Sequence, residues 1–202
     1  MNIYNIFPTP ICNFNIERKI KTSELNYILS LDKRKNLGNF NSIDTYILEN
    51  ENLKDIQKFI QNSLDEYFST IFNPAQSQCA KLYITQSWAN YNQHEQYHQR
   101  HNHQNSFVSG VFYPKIDDEM SEIQFYSPTT YLIEIIPEEY NMWNSNTMNC
   151  HIKTGDLIIF PSWMQHMVPP NIRNDTRISI AFNTFVSGIF GKKEKLTELK
   201  LI

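Results

Sequence analysis

Four histidines fall within ten residues, His94, His98, His101 and His103, inside the stretch QSWANYNQHEQYHQRHNHQNSFVSGVF that runs from Gln86 to Phe112. Imidazoles gathered this densely serve either metal ligation or proton transfer, and their spacing separates the two uses. His101 and His103 stand one residue apart. On a strand both side chains then leave the same face, with Cα atoms about 6 to 7 Å apart. Such a pair can hold one ion if a third ligand arrives from another strand. His166 is the natural third. It follows GDLIIFPSWMQ, which reads as a turn at Gly155-Asp156, a buried strand from Leu157 to Phe160 and a tight corner from Pro161 to Trp163. His94, in the polar run QHEQYHQR, reads as a solvated loop residue. His98, with Trp88 and Asn92, is a candidate to stand behind the ligands or to face a substrate, and His151 reads as a structural residue at the start of a strand.

The elements that must position these groups are legible from periodicity. Residues 1 to 20 alternate apolar and polar side chains around Pro8 and Pro10, as an edge strand does. Thr22-Ser23 are expected to cap a helix over Glu24 to Leu31, and the polar stretch Asp32 to Asn41 reads as a loop. Leu53, Ile56, Phe59, Ile60, Leu64, Phe68 and Ile71 form one apolar stripe that Asn73-Pro74 ends, so a longer helix packs that face on a sheet. From Lys81 the rhythm becomes period two, in LYITQSWANYN, FVSGVFY, SEIQFYS, YLIEIIP, HIKTGDLIIF and RISIAFNTF. Six or more such runs between turn residues predict an antiparallel sandwich or barrel, covered on one side by the helices. A single domain is expected, with an edge strand and supporting helices over 1–78, a β core over 79–190 and a tail over 191–202. Tyr140 to Asn149 reads as a polar loop at the barrel mouth, with Trp143 as a lid over the protein's own core.

Composition excludes some classes. With 18 basic and 21 acidic residues and a net charge of -3, the chain lacks the electrostatic footprint of a nucleic-acid binder. Cys12, Cys79 and Cys150 are odd in number and far apart, which argues against a disulfide framework and for reduced thiols in the cytoplasm. No stretch approaches the roughly 20 apolar residues of a membrane span. The oligomeric state is left open, a dimer included.

The run His166-Met-Val-Pro-Pro followed by Arg177-Ile-Ser179 resembles the signature of the iron(II)- and 2-oxoglutarate-dependent oxygenases, in which a distal ligand histidine precedes an Arg-x-Ser pair on the next strand. The likeness extends to one subgroup of that superfamily nearly end to end, through IFPTPI, HNHQNSFVSGVFY, FPSWMQHMVPPN and RISIAFN in order. It implies a double-stranded β-helix, or cupin-like jelly roll. It also implies iron(II) held by His101, His103 and His166, with the far carboxylate of 2-oxoglutarate held by Arg177 and Ser179. Alternation places Arg177 and Ser179 on one strand face and Ile178, Ile180 and Phe182 on the other, and an inward-facing arginine requires an anion. Tyr113, Ser109 and Asn90 are expected to line the same cavity as co-substrate contacts, with Tyr113 the foremost. The departure is His103, which stands where the family usually carries a carboxylate.

The implied activity is a dioxygenase that consumes dioxygen and 2-oxoglutarate, releases succinate and carbon dioxide and hydroxylates an unactivated C–H bond of a small-molecule or peptide substrate. Residues 114 to 130 and the Tyr140 to Asn149 loop are expected to select that substrate. Two alternatives stay open: a cupin-type three-histidine dioxygenase without 2-oxoglutarate, and a non-catalytic jelly-roll binding module stapled by zinc with His98 as fourth ligand. Because imidazole ligates only when neutral, metal affinity is expected to fall steeply below a pH of about 6.5.

Overall fold

Period-two patterning after Lys81 becomes two antiparallel sheets packed face to face. The computed structural model describes residues 1–116, 121–129 and 133–201. The chain begins with β1 (Cys12–Asn15), α1 (Thr22–Ser30), β2 (Lys33–Lys35), β3 (Phe40–Ser42), α2 (Lys54–Phe72) and β4 (Lys81–Asn92). Then come β5 (His98–His101), β6 (Val108–Lys115), β7 (Glu122–Tyr126) and β8 (Thr147–His151). The last four are β9 (Asp156–Pro161), β10 (His166–Val168), β11 (Arg177–Phe190) and β12 (Leu199–Leu201). The major sheet runs β1-β9-β6-β11-β4-β3-β2, with β12 added to the far end of β11, and the minor sheet runs β5-β10-β7-β8. This is the expected jelly roll, with its helices on one side.

Alternation along each major-sheet strand builds two cores. Outward-facing Ala89, Tyr91, Phe112, Leu157, Ile159, Ile178, Ile180 and Phe182 join the α2 stripe of Ile56, Ile60, Leu64 and Phe68. Inward-facing Val111, Tyr113, Ile158, Phe160 and Ala181 meet Ile123 and Phe125 of the minor sheet. The strands sit close: a Cβ on Gly110 would stand 2.4 Å from the Phe182 ring, so β6 needs glycine there. α2 stops at Asn73, in the left-handed region at φ 41, just before Pro74. Cys12, Cys79 and Cys150 are free thiols. Among the described residues no helix is long and apolar enough to cross a membrane.

Several expectations are corrected. Asp32 to Asn41 is not a loop but most of a hairpin, β2–β3, which extends the major sheet beyond β4. As the sheet's edge, β2 has no apolar face to bury and so carries no period-two signal. The N-cap of α1 is Lys21, whose backbone N–H donates to the buried Glu24 carboxylate at 2.7 Å, while Arg18 donates to both Glu24 oxygens. In YLIEIIP, Tyr131 and Leu132 lie outside the described residues, and Ile133, Ile135 and Ile136 are 76%, 81% and 84% exposed rather than in a strand. β8 already occupies the place beside β7 that this run would need. His151 ends β8 instead of starting a strand. Trp143 is no lid over the core: it is half exposed and its indole N–H donates to the Asn5 side chain at 3.0 Å.

Candidate metal and anion site

His101 and His166 are drawn together by sheet pairing, since they are direct partners between β5 and β10. His103 arrives differently. β5 ends at His101, so the two histidines do not share a strand. The chain turns at Gln104–Asn105, just after His103, and the backbone N–H of His103 donates to Ser162 O at 3.0 Å, which fastens it to the corner between β9 and β10. The ligand nitrogens of His101, His103 and His166 consequently all lie within 4.8 Å of one another.

The hydrogen bonds around the three rings decide which nitrogens are available. His101 Nδ1 lies 2.7 Å from Gln99 O, and His166 Nδ1 lies 3.1 Å from Met164 O. His103 Nδ1 lies 2.6 Å from Asn183 Oδ1. Each partner is an oxygen that only accepts, so each Nδ1 carries the proton and each Nε2 keeps its lone pair. Burial also keeps the rings neutral. It pushes His103 down to about 4 and lowers His101, and it lowers His166 further with help from repulsion by His101 and His103. Three neutral imidazoles with convergent, unprotonated Nε2 atoms form a donor set suited to a divalent transition metal.

Asn183 escaped the sequence reading because asparagine is abundant throughout the chain. It was reachable in principle, since residues 177, 179, 181 and 183 share one face of β11 by period two. Its Oδ1 also accepts from Ser109 Oγ at 3.0 Å, which fixes the amide's orientation toward His103. Ser109 in turn belongs to a buried triangle of hydroxyls with Ser162 (2.7 Å) and Ser106 (3.1 Å). The structure therefore places Ser109 behind the His103 ring, with its hydroxyl already engaged there. Asn183→Leu is expected to weaken metal affinity about 10- to 100-fold, as measured by competition with a chromophoric chelator, by freeing the His103 ring to turn.

The depressed histidine pKa values move the expected acid limit. Above a pH of about 6.5 both folded and unfolded chains hold these rings neutral. As pH falls from 6.5 toward the folded value of about 4 at His103, the unfolded chain takes up protons that the folded chain refuses, so stability is lost across that window. The melting temperature of metal-free protein should therefore fall steadily between pH 6.5 and 4.5, and a flat profile there would contradict the burial argument. Metal occupancy in the folded protein should persist below 6.5, not collapse at that value.

At the other end of the barrel stands Arg177, 7% exposed, opposite Asn92 of β4. Its Nη2 donates to Glu122 O at 3.1 Å, and its guanidinium lies 5.5 Å from the Tyr113 ring centroid. No carboxylate hydrogen-bonds it among the described residues, and burial pushes its pKa down. Among the described residues, Tyr113 Oη and Asn92 Nδ2 are buried without a hydrogen-bond partner. Burial raises the Tyr113 phenol to about 12 despite the nearby Arg177 charge, so it stays a proton donor. A buried cation beside two orphaned donors calls for acceptor oxygens, and a carboxylate supplies them. Ser179 follows on the same face, opposite Asn90, whose Nδ2 lies 3.4 Å from Ser179 Oγ.

The remaining sequence candidates frame the three histidines. His98 is not a solvated loop residue: it begins β5 and its ring stacks on His101 at 4.3 Å, with burial pushing its pKa down to about 3. Trp88 lies 5.8 Å from the His103 ring, centroid to centroid. Both line a cleft of ≈ 290 Å³ that opens at His101 and His103. His94 is exposed, as expected.

Comparison with known proteins agrees with this arrangement. Residues 86–183, from Gln86 of β4 to Asn183 of β11, match the family described as "Putative 2OG-Fe(II) oxygenase". That segment contains every residue of the metal and anion sites described above. No curated protein sequence matches the chain. A prolyl hydroxylase from Trichoplax adhaerens, solved with a hypoxia-inducible-factor oxygen degradation domain peptide, superposes with a TM-score of 0.58 at 14% identity, covering 87% of this chain and 83% of that one. A prolyl-4-hydroxylase from Pseudomonas putida gives a TM-score of 0.54 at 10% identity, covering 87% and 92% of the two chains. HygX from Streptomyces hygroscopicus, solved with nickel, 2-oxoglutarate and hygromycin B, gives 0.52 at 9% identity, covering 87% and 82%. At such identities the superpositions speak for the fold alone, and the family match is a likeness of residues 86–183 to the 2OG-Fe(II) oxygenases.

Proposed function

We propose that the protein is an Fe(II)- and 2-oxoglutarate-dependent dioxygenase that hydroxylates an unactivated C–H bond of a small-molecule or peptide substrate in the cytoplasm. The observation that carries this reading is the donor set itself: three neutral Nε2 atoms converge at one end of the barrel, and a buried guanidinium with orphaned O–H and N–H donors waits at the other. His101, His103 and His166 would hold iron(II). Arg177, Tyr113, Asn92 and Ser179 would hold the far carboxylate of 2-oxoglutarate. With dioxygen as oxidant, the two groups would supply oxidative decarboxylation, one oxygen atom going to succinate as carbon dioxide leaves and the other to the substrate C–H bond.

The chain's own residues orient and shield. Asn183 and two backbone carbonyls hold the imidazoles in the ligating tautomer. Three neutral ligands also leave bound iron one charge more positive than a set containing a carboxylate, which strengthens its pull on an anionic co-substrate. The apolar lining of Val111, Ile158, Phe160 and Phe125 keeps the inter-sheet space dry. A three-histidine enzyme without 2-oxoglutarate leaves Arg177 and Tyr113 without a purpose. A zinc staple needs a fourth protein ligand, and His98 stacks on His101 instead of joining the ligand group. The test is succinate release from 2-oxoglutarate by iron-loaded protein in air. A slow Fe(II)-dependent rate is expected without added substrate, and a rate equal to that of free iron counts against the proposal.

A further inference from the structure

Arg34 is the one charged side chain among the described residues that line the cleft beside His101 and His103. Its placement follows from strand register: Arg34 faces Asn41, Asn41 faces Asn90 and Asn90 faces Ser179, a row across β2, β3, β4 and β11. Directly opposed side chains share a sheet face, so the whole row points to the site side. It is bonded along part of its length, Asn41 Nδ2 to Asn90 Oδ1 at 2.6 Å and Asn90 Nδ2 to Ser179 Oγ at 3.4 Å. At one end stands the hydroxyl beside the proposed co-substrate anchor, and at the other a guanidinium at the cleft rim.

The neighbouring lysines do not share this role. Period two turns Lys33 to the other face, where its ammonium donates to Leu29 O and Leu31 O at the end of α1 and lies 4.7 Å from the Tyr91 ring centroid. Among the described residues no carboxylate pairs with Arg34, and the cleft contains none. The cleft thus presents a single positive charge amid amide groups from Asn36, Asn41, Gln86 and Asn183. Its volume of ≈ 290 Å³ suits a small molecule, near the lower bound of about 300 Å³ for ligand pockets.

We infer that the primary substrate is a small molecule with an anionic carboxylate or phosphate group, which Arg34 binds while the reacting C–H bond lies beside His101 and His103. This rests on the oxygenase reading and names its substrate class. Guanidinium suits both anions because its paired N–H groups match two oxygens at once.

The test uses full-length protein loaded anaerobically with Fe(II) and 2-oxoglutarate, titrated with three probe sets and followed by metal-centred absorption and by thermal shift. The probes are N-acetyl amino acids with free carboxylates, the same compounds as primary amides, and phosphomonoesters such as glycerol 3-phosphate. At least one acid set should bind, and the neutral amides about tenfold more weakly or worse, the scale of one charge-assisted hydrogen bond. The responding set identifies carboxylate or phosphate as the source. Arg34→Glu should lose the acid response more than about tenfold while keeping the iron and 2-oxoglutarate absorption, and Arg34→Lys should keep part of it. Equal binding of acids and amides, an unchanged response in Arg34→Glu, or no response to any acid overturns the inference. Absence of the iron and 2-oxoglutarate absorption in wild type instead refutes the oxygenase reading and takes this inference with it.

Discussion

Replacing His166 with alanine is expected to abolish specific iron(II) binding, lowering affinity by more than about 100-fold, and with it all succinate release. The ring is 2% exposed, packs 4.7 Å from Phe160 and 5.8 Å from Phe125 between centroids, and would supply the ligand from β10. His101 and His103 alone leave one face of the metal to water. Removing a buried ring also opens a cavity, so His166→Gln, which keeps most of the volume, separates lost ligation from lost folding. Metal analysis after gel filtration checks both variants. Full occupancy in either would refute His166 as a ligand.

Arg177→Ala is expected to leave metal occupancy intact and to weaken 2-oxoglutarate binding by about two to four orders of magnitude, since losing one partner of a buried charge pair costs roughly 3–5 kcal/mol. Titration calorimetry on the manganese-substituted protein reads this directly. The same residue makes a second prediction with an unusual sign. In the absence of an anion, the buried guanidinium donates to a backbone carbonyl and lies beside an aromatic ring, with the Glu122 charge acting on it only through space and no carboxylate hydrogen bond among the described residues. Arg177→Met removes that weakly compensated charge, so the ligand-free variant should unfold at the same denaturant concentration as wild type or higher. Strong destabilisation would mean that Arg177 serves the fold and not an anion.

The contrast between what could and could not be seen in the sequence is physical. The α2 stripe and the alternation of Ile178, Ile180 and Phe182 against Arg177 and Ser179 are local periodicities, and both appear in the structure, apart from Ile71, which is 38% exposed at the end of the stripe. His101, His103 and His166 do converge, although His103 is placed by a backbone bond to Ser162 and not by a shared strand. The β2–β3 hairpin was invisible because its polar residues take their conformation from pairing with β4, a contact about fifty residues away (Asn41 with Asn90). The face of Asn183 was legible, but its bond to His103 and the Ser106–Ser109–Ser162 triangle were not: hydroxyl and amide networks assembled from distant strands leave no spacing signature. Of the stretches expected to select substrate, 117–120 and 130 lie outside the described residues. The cleft is instead walled by the hairpin that periodicity missed.

The central claim is that one barrel end holds iron while the other holds 2-oxoglutarate in contact with it. It is tested most directly by adding Fe(II) and then 2-oxoglutarate to the wild-type protein without oxygen and recording the visible spectrum. The account predicts a metal-to-ligand charge-transfer band that appears only when both are present. Iron bound at full occupancy with no such band at saturating 2-oxoglutarate would contradict it.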